Sequence, residues 1–154
     1  MTLDKTKVVY QIYPKSFKDT TGNGLGDFRG IIEKLPYLKE LGVDMIWLNP
    51  FYPSPQRDNG YDISDYTAVD PIFGDMADFE EMVKVGQQHG IDFMLDMVLN
   101  HCSIEHDWFQ KALLGIPIIR TSLSCEMSQR TGCPSLAAVP GAIWRYGQIL
   151  SASL

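Results

Sequence analysis

Apolar positions along the first hundred residues follow two rhythms in turn, and each predicts an element. Val8-Val9-Tyr10-Gln11-Ile12-Tyr13 is a run of β-branched and aromatic residues stopped by Pro14, which cannot donate to a ladder, and it predicts a first strand. Phe28, Ile31, Ile32, Leu35, Leu38 and Leu41 then recur at helical spacing up to Gly42, where a left-handed C-cap costs little. They predict a first helix with a kink or restart at Pro36. Met45-Ile46-Trp47-Leu48, wholly apolar and bounded by Asn49-Pro50, predicts a second strand buried on both faces. A long polar loop runs to about Phe73. Asp75 and Asp78 then supply the acidic start of a second helix that turns Phe79, Met82 and Val83 inward and closes at Gly90. Phe93 to Val98 predicts a third strand, followed by Leu99-Asn100-His101.

Strands alternating with helices in this way predict an α/β fold with βαβ units on a parallel sheet. In such folds ligands lie at the carboxyl ends of the strands, below loops that are free to vary. Tyr13, Asn49, Asp58, Tyr61, Asn100 and His101 all fall there. Any one of them is equally a cap or turn former. Their joint placement marks the loop ends as the candidate site.

Composition removes several function classes. The chain has 154 residues, 45% apolar and 21% charged, with a net charge of −6, so it offers no basic surface for nucleic acid or anionic lipid. No stretch approaches the roughly 20 apolar residues of a membrane span, and no apolar core follows Met1-Thr2-Leu3-Asp4-Lys5, so the expected compartment is the cytoplasm. Cys102, Cys125 and Cys133 form an odd set without paired spacing and are expected to be reduced thiols. His101 and His106 stand five residues apart with no cysteine pattern beside them, a weak basis for a metal, and none is expected there.

Four segments are recognisable together. Val9-Tyr10-Gln11-Ile12-Tyr13-Pro14, Trp47-Leu48-Asn49-Pro50, Asp58-Asn59-Gly60-Tyr61-Asp62 and Asp96-Met97-Val98-Leu99-Asn100-His101 resemble, in order and spacing, the opening of glycoside hydrolase family 13, the α-amylase family, and within it the α-glucosidase branch. The resemblance covers residues 4 to 113. It implies the N-terminal βαβαβ portion of a (β/α)8 TIM barrel, incomplete, with an irregular C-terminal tail. It also implies hydrolysis of α-glucosidic bonds with retention, by a carboxylate nucleophile and a carboxylic acid/base that this chain does not contain. By resemblance, Asp96 supports the missing nucleophile and His101 hydrogen-bonds the bound glucose. Asn100 is structural, Asp58 takes hydroxyls of the terminal glucose, and Tyr61 is the ring on which that sugar stacks. A carboxylate can accept two hydroxyls and an aromatic face can cover a pyranose, so the chemistry suits the roles. The implied partner is a small-molecule carbohydrate, with no nucleic acid, membrane or protein partner.

The loop from Asp19 to Asp27 is a second constellation. Asp19, Thr21, Asn23, Leu25 (through its carbonyl) and Asp27 place oxygens at alternate positions, as a calcium loop does. An EF-hand is excluded, because its twelfth position falls on Gly30. Relatives implied by the resemblance bind calcium here, but they carry Asn where Thr21 stands and Asp where Asn23 stands. A structural calcium and a metal-free glycine turn both remain open, and no cofactor is required. The wording Asp19-Thr20-Thr21-Gly22 resembles family members that hydrolyse trehalose 6-phosphate more than those that cleave α-1,6-glucosides, and the former is the expected substrate, the latter the alternative.

From Leu114 the chain changes character. Of 19 acidic residues only Glu126 lies in positions 114 to 154, and neither periodicity is sustained there. An inserted subdomain is one reading. The sharper one is out-of-frame translation: Ile116 to Ser122 and Ser135 to Gly141 are what codons for the family's aromatic runs give in a neighbouring frame. On that reading the tail belongs to no domain, three strands cannot close a barrel, and the fragment is expected to be inactive or at most a sugar-holding remnant. Reading the gene in all frames past Leu113 decides between the two.

Overall fold

The computed structural model describes residues 6–114, so of the tail predicted from Leu114 all but that first residue lies outside the described part. The described residues divide into two compact units, a sheet unit of residues 6–51 and 69–96 and a loop unit of residues 52–68 and 97–114.

The sheet unit is a βαβαβ array. Strand β1 spans Val9–Ile12, β2 Met45–Leu48 and β3 Asp92–Leu95, all parallel in the order β1-β2-β3. A four-residue helix α1, Pro14–Phe17, follows the first strand directly. The strand, predicted over Val8 to Tyr13, ends at Ile12, and Pro14 opens α1 because proline is accepted at the first helical position and cannot donate to a ladder. Helices α2, Phe28–Glu40, and α3, Met76–Gln88, make the two crossovers. The Asp27 side chain caps α2 by accepting from Gly30 N–H, and α3 opens with a capping box in which Asp75 and Asp78 exchange side-chain-to-backbone bonds. Glycines in the left-handed region close both helices: Gly42 at φ 88° and Gly90 at φ 64°.

Register decides which residues face the helices. Ile46 pairs with Tyr10 and Phe93, and Leu48 with Ile12 and Leu95, so these share one face of the sheet. The ring of Phe93 reaches α3 where only a glycine fits, since a Cβ on Gly86 would lie 2.3 Å from it. Under the helices, Phe28, Phe51 and Phe79 meet with centroids 5.0 to 5.9 Å apart, and all three are buried. Arg29 on α2 ties the helices at the surface by reaching Asp78 and Glu81 at 2.6 and 2.7 Å; its contact with Asp78 is the main cause that raises the guanidinium pKa.

Three expectations need correction. The second strand is not buried on both faces: Ile46 and Leu48 are fully covered while Trp47, on the other face beside Gln11 and Met94, is 36% exposed. The helices cover only one face of the described sheet. The third strand ends at Leu95 rather than Val98, because its neighbour β2 ends at Leu48 before Asn49-Pro50 and offers one last carbonyl, which accepts from Asp96 N–H at 3.0 Å. Pro36 does not restart α2, which runs as one helix; the proline sits on the exposed side, flanked by the buried Leu35 and Leu38.

The loop unit contains one helix, α4, Asp107–Leu113, which the sequence rhythm did not predict. Its N-cap is His106, whose Nδ1 accepts Trp108 N–H at 3.0 Å. Among the described residues no helix is long and apolar enough to cross a membrane.

Candidate active site

Four of the candidate residues belong to the loop unit: Asp58 and Tyr61 on the first of its two segments, Asn100 and His101 on the second. Asp58-Asn59-Gly60-Tyr61 is a tight turn. Tyr61 N–H donates to the Asp58 carbonyl at 3.0 Å, and the two central residues have positive φ, 52° at Asn59 and 95° at Gly60. That is the type I′ geometry for which Asn-Gly is the preferred pair, so the sequence selects this turn locally.

The turn is anchored by a residue that motif reading left without a role. Asp62 Oδ1 accepts from the Ser54 hydroxyl at 2.7 Å and from Asp58 N–H at 3.1 Å, while Oδ2 accepts from Arg57 N–H at 3.0 Å. Burial pushes the Asp62 carboxyl pKa up, but the Ser54 hydroxyl and the backbone donors outweigh it and hold the group below its ordinary value. The signal available in the sequence was the spacing Asp58…Asp62 around Asn-Gly, with Ser54 upstream.

With its backbone fixed, Asp58 sends its side chain into solvent, 69% exposed, where one carboxylate oxygen lies 4.0 Å from His101 Nε2. The imidazole is more covered, 19% exposed. Tyr61 is half-buried beside Asp58 in the chain, and Asn100 is exposed. The structure therefore brings an exposed carboxylate and an imidazole nitrogen together at the surface. Between them they offer acceptors and a donor at a separation that neighbouring sugar hydroxyls can span.

The remaining candidates lie in the sheet unit and have visible structural duties. Asn49 is buried, and its Oδ1 accepts from Gln11 Nε2 at 2.9 Å, tying the ends of β1 and β2. Tyr13 is the residue preceding α1. Asp96 is half-buried directly after β3.

His106 has a structural duty. Its Nδ1 is occupied by the helix cap, and burial lowers the imidazole pKa, the neighbouring Asp65 and Asp107 opposing that shift. Among the described residues no group of three or more His, Cys, Asp or Glu could hold a metal ion.

The loop at residues 19–27 fits a calcium ion poorly. Asp19 Oδ1 accepts from Thr21 N–H, the Thr21 hydroxyl and Gly22 N–H, and Oδ2 accepts from Gly24 N–H at 2.7 Å. Three of those bonds crowd Oδ1, and Oδ2 takes the fourth. Asp27 accepts from Thr20 N–H, the Thr20 hydroxyl and Gly30 N–H, and Asn23 Oδ1 accepts from Leu25 N–H at 2.8 Å. A hard cation needs six to eight oxygens, and every side-chain oxygen offered by Asp19, Asn23 and Asp27 already accepts from a donor of the loop or of the first turn of α2. The bond from Gly24 N–H is the largest cause that lowers the Asp19 pKa. The glycines have a separate duty: a Cβ on Gly26 would stand 2.1 Å from the Pro14 carbonyl oxygen.

The family described as alpha amylase, catalytic domain, matches residues 11–119. Over 106 residues the chain is 60% identical to a trehalose-6-phosphate hydrolase of Escherichia coli (strain K12), covering 69% of this chain and 19% of that protein. It is 58% identical over 105 residues to an oligo-1,6-glucosidase of Parageobacillus thermoglucosidasius, covering 68% and 19%. The crystal structure of Bacillus licheniformis trehalose-6-phosphate hydrolase superposes with a TM-score of 0.75 at 48% identity, covering 86% of this chain and 28% of that one. The chain thus spans about a fifth of the length of the curated relatives it matches.

Proposed function

The chain belongs to the α-amylase catalytic-domain family, and from that premise we propose that its loop unit is the glucose-binding end of an α-glucosidase active site whose substrate is trehalose 6-phosphate. The observation that carries the reading is the Asp58 carboxylate held 4.0 Å from His101 Nε2 at an open surface, on a turn whose backbone is fixed by Asp62. Asp58 accepts two hydroxyls of the terminal glucose, His101 donates to another, and Tyr61 covers the sugar's apolar face. Cleavage with retention then needs a nucleophile and an acid/base flanking the glycosidic oxygen. Asp96, at the end of β3, supports the nucleophile, and both reacting carboxylates come from outside residues 6–114.

Identity to the trehalose-6-phosphate hydrolase favours the phosphorylated disaccharide over an α-1,6-linked one, and the Asp19-Thr20-Thr21-Gly22 wording agrees. The test is a titration of the full 154-residue chain, followed by NMR, with trehalose 6-phosphate and separately with isomaltose. Saturable shifts at Asp58, Tyr61 and His101, lost in Asp58→Asn, support the site. A stronger response to isomaltose would move the substrate to the α-1,6 class. No response to either sugar would end the reading.

A further inference from the structure

We propose that Tyr66 is a positioning residue, whose hydroxyl clamps the segment carrying His101 and so sets the gap between His101 and Asp58. The inference deepens the reading above and rests on it. Tyr66 is 3% exposed, and its hydroxyl lies 2.7 Å from the Val98 carbonyl oxygen and 2.6 Å from that of His101. These carbonyls bracket the stretch that displays Asn100. The stretch belongs to no helix or strand, so its carbonyls have no ladder to satisfy them, and buried carbonyls left unmet are costly. A phenol has a single proton to give, and it is shared between the two oxygens.

The ring itself is immobilised. Trp108 stacks on it at 5.7 Å with planes 18° apart, and His106 lies 5.5 Å away. Tyr66 also sits on the same chain segment as Asp58 and Tyr61, so its hydroxyl joins the two segments of the loop unit that must cooperate to hold a sugar. Ser103 N–H bonding to the Ile63 carbonyl at 2.8 Å makes a second tie, two residues beyond His101. What remains to fix His101 itself is the bond between its own carbonyl and Tyr66. Small displacements of a binding group cost far more than the lost contact, because both partners of the hydroxyl pair must be in place together.

Tyr66→Phe removes the hydroxyl and keeps the ring. Tyr52→Phe is the matched control: Tyr52 is buried in the same aromatic group, 6.0 Å from Tyr66, and its hydroxyl reaches the Met97 side chain, Sδ at 2.9 Å, rather than the Val98 and His101 carbonyls. In the full chain, the His101 imidazole Cε1–H resonance is expected to move in Tyr66→Phe and to stay in Tyr52→Phe. Affinity for trehalose 6-phosphate is expected to fall about tenfold in Tyr66→Phe, with little further loss when the same change is made in a His101→Ala background, the signature of residues that act through one another. Equal movement of His101 in both tyrosine variants, or an undiminished affinity loss in the His101→Ala background, would overturn the proposal. If the wild-type chain binds no sugar, the functional reading fails on its own, and the His101 resonance still decides the clamp. Should Tyr66→Phe not fold, hydrogen–deuterium isotope shifts at the Val98 and His101 carbonyl carbons decide it in the wild-type chain: present if the hydroxyl donates there, absent if it does not.

Discussion

In the sheet unit Phe28, Phe51 and Phe79 are buried ring against ring beneath two helices, whereas in the loop unit the groups that hold shape are single polar atoms: Asp62 gathering three donors, and Tyr66 gripping two carbonyls. The first kind of stabilisation is non-directional and scales with area removed from water, so it tolerates small shifts in any one side chain. The second depends on angle and distance and fails at a single atom. A scaffold can rest on the first. A site that must present Asp58 to His101 at a set separation needs the second.

Phe28→Ala is the change that breaks the scaffold side of this contrast most directly. The ring is fully buried and touches Phe51, Phe73 and Phe79, so its removal is expected to cost about 3–5 kcal/mol in chemical denaturation of the full chain, for lost burial plus the cavity left behind. A loss below 1 kcal/mol would mean that the aromatic group is not the core of that unit.

Asp62→Ala tests the other side. It leaves Arg57 N–H, Asp58 N–H and the Ser54 hydroxyl without their acceptor, in a loop partly open to water that replaces some of what is lost. The expected cost is roughly 1 kcal/mol, at the low end for unmet donors. The sharper readout is local: hydrogen exchange at the Arg57 and Asp58 amides should accelerate about tenfold, while β2 amides keep their protection. Acceleration in both would show that the units do not differ as described.

How much of this could be read in advance follows the same division. The span of β2 and the start of α3 are local facts, written in an apolar run stopped by Asn49-Pro50 and in the Asp75/Asp78 capping box. The type I′ turn at Asn59-Gly60 is local too. The end of β3 was not legible, because it is set by where β2 stops giving carbonyls, almost fifty residues earlier in the chain. Trp47 misled for a related reason: an all-apolar strand looks alike whether one face or two are covered. Tyr66 was hidden because its hydroxyl works on backbone carbonyls, which carry no residue identity, and Asp62 because two of its three donors are backbone N–H groups. Asp58, Tyr61 and His101 were candidates through resemblance alone, and the structure adds the 4.0 Å between Asp58 and His101.

Acidification separates the units more gently. Burial lowers the pKa of His106, whose Nδ1 caps α4, so the folded state favours the neutral ring. A group with a depressed folded pKa stabilises above its unfolded value and loses that contribution as pH falls. Stability of the loop unit should therefore decline as pH drops below about 6.5, the ordinary histidine value, and this decline should vanish in His106→Asn, which retains a capping oxygen. Asp65 and Asp107 favour the charged ring and shallow the slope without reversing it. A slope unchanged in His106→Asn would assign it to other groups. Asp19 and Asp62, whose pKa values are also lowered, lose their contributions only lower, as pH falls below the ordinary carboxylate value of 3.8.

The smallest expected effect is that of calcium on the loop at residues 19–27, where the sheet unit borrows the loop unit's strategy. Asp19 plays the part a cation would play, drawing Thr21, Gly22 and Gly24 around a single charged centre, but with the sign reversed: the donors are N–H groups and the centre is the carboxylate. An ion entering there would have to displace bonds already made. Millimolar calcium or EDTA is therefore expected to leave the melting temperature of the full chain unchanged. Thr21→Asn together with Asn23→Asp puts an amide oxygen in place of a hydroxyl and a carboxylate in place of an amide, and should create a calcium-dependent rise. A saturable rise in the unaltered chain would show that the cation outcompetes four backbone and hydroxyl donors, and the loop would then be a metal site after all.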